Sequence, residues 1–170
     1  MTGVPGRAAR AGLPARLDGA AFGIIYGAIL VLSLLPPLGG EREDLVKTAI
    51  VLFGSVLAIT AAKTFAEFVA HGLETGERLD RVALGRAWRH SGPTLAVANV
   101  PTALLLISGA GLLPYPLALG AAHGVCILLL ATLGARVGWK IDGRPLPAVL
   151  GAVFAGGTGI ALAALKIAIH

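Results

Sequence analysis

Long apolar runs alternate along this chain with short polar breaks. The runs cover residues 19–38, 46–70, 93–113, 117–137 and 148–169. Pro36-Pro37 and Gly39-Gly40 close the first, and Glu41-Arg42-Glu43-Asp44 separates it from the second. One long polar stretch, 71–90, precedes the third run, Pro114-Tyr115-Pro116 turns the chain into the fourth, and residues 138–147 lead into the fifth. A hydrocarbon core is crossed by ~20 helical residues, so each run is long enough to span. A lone segment in lipid must satisfy its own backbone, so each is expected to be a helix. Pro101 is expected to kink the third. The fold class predicted is all-α integral membrane: a five-span transmembrane helical bundle.

Charge placement orients the bundle. Arg7, Arg10 and Arg16 precede the first run, Arg78, Arg81, Arg86 and Arg89 lie between the second and third, and Arg136, Lys140 and Arg144 between the fourth and fifth. These ten share one side, against Arg42, Lys47 and Lys166 on the other. The excess of Lys and Arg on cytoplasmic loops places the N-terminus inside and the C-terminus outside. Residues 1–18 read as a cytoplasmic arm and 19–170 as one transmembrane domain. The first run outlasts a signal-peptide core and lacks a convincing cleavage site, so it is read as a retained span. The stretch 71–92 reads as a cytoplasmic amphipathic loop, either solvated or folded into a surface helix with Leu79, Val82, Leu84 and Trp88 facing the bilayer.

Composition agrees. Mean hydropathy is +0.83, 56% of residues are hydrophobic and 14% charged, too few to clothe a soluble domain of this size. The net charge of +5 would suit nucleic acid, but the basic residues sit where a membrane protein needs them, so no nucleic-acid partner is expected. The single cysteine, Cys126, excludes an intrachain disulfide framework. Richness in Ala, Gly, Leu and Arg suggests a GC-rich bacterium and hence its inner membrane. Gly23 and Gly27 form a small-xxx-small pair that suits either packing within the chain or a dimer face.

Ionisable groups inside the spans carry the functional signal, because each is expensive in lipid. Lys63, Glu67, His71 and Glu74 recur at helical spacing and share one face. They form either an internal Lys63–Glu67 ion pair, with His71 and Glu74 at the interface, or a polar site at the inner mouth of a cavity. Tyr26, Asn99 and His123 sit singly in other spans. No Walker loop, GxSxG or HExxH is present, so nucleotide binding and triad hydrolysis have no support.

Several segments resemble the vacuolar iron transporter family. Phe22-Gly23-Ile24-Ile25-Tyr26-Gly27 is similar to its Phe-Gly-x-x-Asp-Gly, and Ala66-Glu67-Phe68 to its Gly-Glu-Tyr. Ser108-Gly109-Ala110-Gly111-Leu112-Leu113-Pro114 matches the close of its third span. Leu133-Gly134-Ala135-Arg136 and Asp142-Gly143-Arg144-Pro145 match the end of its fourth and the basic loop beyond. The resemblance implies a five-span dimer exchanging divalent metal for protons. The family's metal-binding Asp, however, falls at Tyr26 and its Met at about Lys63, leaving Glu67 alone of that site. A phenol and an ammonium suit a divalent ion poorly, so no metal and no cofactor are expected.

Three functions follow. In the first, a proton-linked transporter of an ion or small solute, Glu67 carries the proton and Lys63 and His71 tune it. In the second, a membrane-embedded acid–base enzyme acts on a lipophilic substrate, with cyclisation of an isoprenoid (terpenoid cyclase type) suiting an apolar cavity. Glu67 would then be the acid, with Tyr26, Asn99 or His123 orienting the substrate. In the third, a non-catalytic assembly subunit docks through its Arg-rich loop. The expected partners are the lipid bilayer, a second copy in a homodimer, and the solute or lipophilic substrate.

Overall fold

The computed structural model describes residues 13–37, 44–76 and 80–169. Most of the expected N-terminal arm, the Glu41-Arg42-Glu43 turn, and Glu77, Arg78 and Leu79 lie outside the described residues. Those described form five helices and no strand: α1 (Leu13–Leu34), α2 (Leu45–Thr75), α3 (Arg81–Gly109), α4 (Tyr115–Asp142) and α5 (Pro145–Ile169). Four of them, α2 to α5, are long and apolar enough to cross a membrane. The uninterrupted apolar part of α1, Ala20–Leu34, is shorter. Its inward positions Gly27, Ala28, Val31 and Leu32 are buried by its neighbours.

Local chemistry sets the helix ends. Asp44 opens α2 by accepting from the backbone N–H of Val46 at 3.1 Å and of Lys47 at 3.2 Å. Asp80 opens α3 by accepting from Ala83 N–H at 2.7 Å. Each carboxylate satisfies N–H groups that a helix start leaves without partners. Gly76 closes α2 and Gly143 closes α4, both with φ above +60° in the left-handed region that favours glycine.

Helices α2 and α3 therefore run well past the apolar stretches that announced them. Residues 71–75 finish α2 and 81–92 begin α3, so the expected loop 71–92 is mostly helix, turned at Gly76. Helix α3 continues through Pro93 and Pro101. Each proline withholds one N–H from the carbonyl a turn earlier, Arg89 and Val97 respectively. At the other end of the chain, α1 starts inside the expected arm and stops at Leu34, short of Leu38.

The helices run up and down. Gly109, at the end of α3, meets Leu45 and Val46 at the start of α2. Gly134 and Gly138 of α4 lie against Gly151 and Pro147 of α5, with no room for a side chain between the two backbones. Gly23 and Gly27 pack against Pro93 and Thr94 of α3, which assigns the small-residue pair to packing within the chain. Lys166 of α5 donates to the carbonyls of Ser33, at 2.7 Å, and of Leu35, tying the last helix to the end of the first.

The two ends of the bundle differ. Toward the end of α1 and the starts of α2 and α4, the centre is filled by Leu32, Leu35, Leu52, Val56, Leu105 and Leu119. Toward the end of α2 and the start of α3 lies a cavity with apolar and charged walls.

Candidate functional site

The site is built where α2 and α3 lie side by side. Glu67 stands two turns before the end of α2. His90 and Ser91 stand in the first turns of α3, on the flank facing it. His90 Nδ1 donates to Glu67 Oε1 at 3.2 Å, and Ser91 Oγ donates to Oε2 at 3.3 Å. Both carboxylate oxygens are thus held from α3. Lys63, one turn earlier in α2, places Nζ 3.8 Å from Oε1. One carboxylate receives charge from its own helix and hydrogen bonds from the next.

Lys63 itself is set in an aromatic corner. Phe22 and Tyr26 are four residues apart on α1, so their rings lie one above the other, with centroids 6.0 Å apart and planes within 6°. Lys63 Nζ lies 4.5 Å from the Phe22 centroid and 5.8 Å from that of Tyr26. The negative faces of the rings attract the ammonium, which is buried and makes no hydrogen bond. At 3.8 Å from Glu67 it is a loose ion pair steadied by rings.

Glu67 also lines a cavity of about 520 Å³ between the start of α1, the end of α2 and the start of α3. That falls within the ~300–1,000 Å³ usual for small-molecule sites. Ala20, Phe68, Ala83, Ala87 and Pro93 give it apolar walls. His71, Arg86, Arg89 and His90 give it basic ones. Arg86, Arg89 and His90 are exposed and form the rim.

The candidates named from sequence divide accordingly. Lys63, Glu67 and His71 share the face expected of them, with Glu67 and His71 on the cavity and Lys63 behind it. Tyr26 contributes its ring to Lys63 and does not line the cavity. Asn99 points away from the bundle, exposed between buried Ala98 and Pro101. His123 is buried in α4, where its Nδ1 donates to the Leu119 carbonyl at 2.9 Å, and it is not among the cavity's walls. The structure therefore does not bring Asn99 or His123 to Glu67's cavity. Sequence reasoning passed over His90 and Ser91. They lie 23 and 24 residues beyond Glu67, and only the pairing of α2 with α3 makes them neighbours. The available signal was helical phase, since Arg86, Arg89, His90 and Pro93 recur on one flank of a helix begun at Asp80.

Among the described residues no group of three or more His, Cys, Asp or Glu side chains is placed to hold a metal ion. The chemistry on offer is that of one carboxylate between cations, beside basic and apolar cavity walls. In comparisons with known proteins, no family model, curated protein or solved structure matches the chain.

Proposed function

We propose that this chain is a multi-pass membrane protein that moves a small solute in step with protons, with Glu67 carrying the proton. The supporting observation is the position of Glu67: one carboxylate touches Lys63 on α2, His90 and Ser91 on α3, and the cavity. Protonation removes the charge that holds Lys63 and His90, so it weakens the α2–α3 contact at the cavity mouth. Proton uptake thereby loosens the wall past which solute enters or leaves. The leucine-filled opposite end serves as the closed gate of this state, as alternating access requires.

The proposal includes five spans with the N-terminus in the cytoplasm, in the inner membrane of a bacterium. The cavity then faces the cytoplasm, at the Arg-rich end. Trp88 and Trp139 sit at that same end, half exposed, and would form an aromatic belt on this reading. A scaffold related to the vacuolar iron transporters is part of the proposal. The residues standing at that family's metal positions, Tyr26, Lys63 and Glu67, meet around Lys63, where an ammonium takes the place of a cation cargo. A homodimer through α5 completes it, since only 17% of that helix's apolar window is buried within the chain.

The test is flux in proteoliposomes carrying a pH gradient, read with an internal pH dye against a panel of small ions and organic solutes. Glu67→Gln keeps the shape and removes the titration, so pH-linked flux is expected to vanish. Unchanged flux in this variant would refute the role given to Glu67. A second reading, acid–base catalysis on a lipophilic substrate, draws on the apolar walls Ala20, Phe68 and Pro93 beside the same carboxylate. Product formed from an added isoprenoid, with no solute flux, would favour it.

A further inference from the structure

The charges around the cavity do not balance. Among the described residues Glu67 is the one acid lining it, and Lys63 stands 3.8 Å from that carboxylate. Arg86 and Arg89 remain. They are three residues apart on α3, both border the cavity, and among the described residues neither is paired with a carboxylate. His71 and His90 add ring nitrogens to the same walls. An arginine fork presents parallel N–H donors at the spacing of two oxyanion oxygens, and two forks match the charge of one phosphate dianion.

We propose that this cavity binds a phosphate-bearing anion, held by Arg86 and Arg89. The inference names the ligand class of the site assigned above and rests on that reading for its transport role, although binding itself does not need Glu67. The apolar walls at Phe68, Ala87 and Pro93 lie deeper than the arginines and take the organic part of a phosphate ester. Two sources share this chemistry: a water-soluble phosphate ester from the cytoplasm, and the headgroup of an anionic phospholipid.

The experiment uses the full chain in nanodiscs of phosphatidylcholine, which carry no net charge. Inorganic phosphate and glycerol phosphate are titrated by calorimetry, and native mass spectrometry follows retention of phosphatidylglycerol after mixed-lipid reconstitution. The variant is Arg86→Gln/Arg89→Gln, both at exposed positions, with Arg144→Gln as a control at the same end of the bundle. Saturable binding of either soluble probe, weakened about tenfold for each guanidinium lost and unchanged in the control, supports the site with a soluble ester as ligand. Silent calorimetry, with phosphatidylglycerol retained by the wild type and lost from the double variant, supports it with a lipid headgroup as ligand. The inference is overturned if neither anion binds, or if the double variant binds as the wild type does. Glu67→Gln separates the two readings. Phosphate binding that survives in it while flux persists unchanged removes the proton role and leaves the anion site standing.

Discussion

Adding one methyl group to Gly27 tests the packing on which the site depends. A Cβ there would lie 2.7 Å from the Thr94 carbonyl oxygen and 3.1 Å from Thr94 Cα. These are backbone atoms of a neighbouring helix, so relief requires α1 and α3 to separate. Overpacking of this kind costs about 1–3 kcal/mol. Exchange of glycine for alanine inside a helix works in the opposite direction, by about 1 kcal/mol. Gly54, on α2, supplies the reference, because nothing lies within 4 Å of a Cβ placed there. Both substitutions gain the same helical preference, so their difference isolates the clash. Gly27→Ala should therefore be less stable than Gly54→Ala by about 1–3 kcal/mol, roughly fivefold to 150-fold in the unfolding equilibrium. Titration with sodium dodecyl sulfate in mixed micelles, followed by fluorescence of Trp88 and Trp139, reads the difference. Displacement of α1 also draws Phe22 off Lys63, so pH-linked flux should fall in Gly27→Ala and survive in Gly54→Ala. Equal stabilities for the two variants would refute the close α1–α3 approach and, with it, the aromatic corner around Lys63.

Other outcomes follow from single contacts. Lys63→Met should change stability by less than about 1 kcal/mol in the same titration, because Glu67 is 31% exposed and keeps His90 and Ser91. Asp80→Ala removes the carboxylate that caps α3 and should lower stability by about 1 kcal/mol, with faster hydrogen exchange confined to the first turn of that helix. Lys166→Met leaves the Ser33 and Leu35 carbonyls without their donor and should lower stability by about 1–3 kcal/mol, again by detergent titration.

Hydropathy located the starts of α2, α4 and α5 to within three residues, while α4 ended five residues beyond its apolar run. It misplaced the end of α2 and the start of α3. There helix continues through polar sequence, closed by Gly76 and opened again by Asp80, and a hydropathy reading takes polar helix for loop. The same blindness hid half of the site. The shared face of Lys63, Glu67 and His71 was legible because helical spacing is local. His90 and Ser91 were not, since their meeting with Glu67 depends on how far α3 slides along α2. Asn99 and His123 illustrate the converse. Each is a polar residue inside an apolar run, and neither faces the cavity: one looks outward, and the other spends its donor on its own helix.

The Lys166 contact has a consequence for how the protein is made. Ribosomes release helices in order, and α1 emerges long before α5 exists. Until then the closing carbonyls of α1 have no ammonium to meet. Only synthesis and packing of the final helix bring Lys166 to Ser33 and Leu35. Helix α1 is therefore fastened last, and a nascent chain stalled before α5 leaves those two carbonyls without their donor.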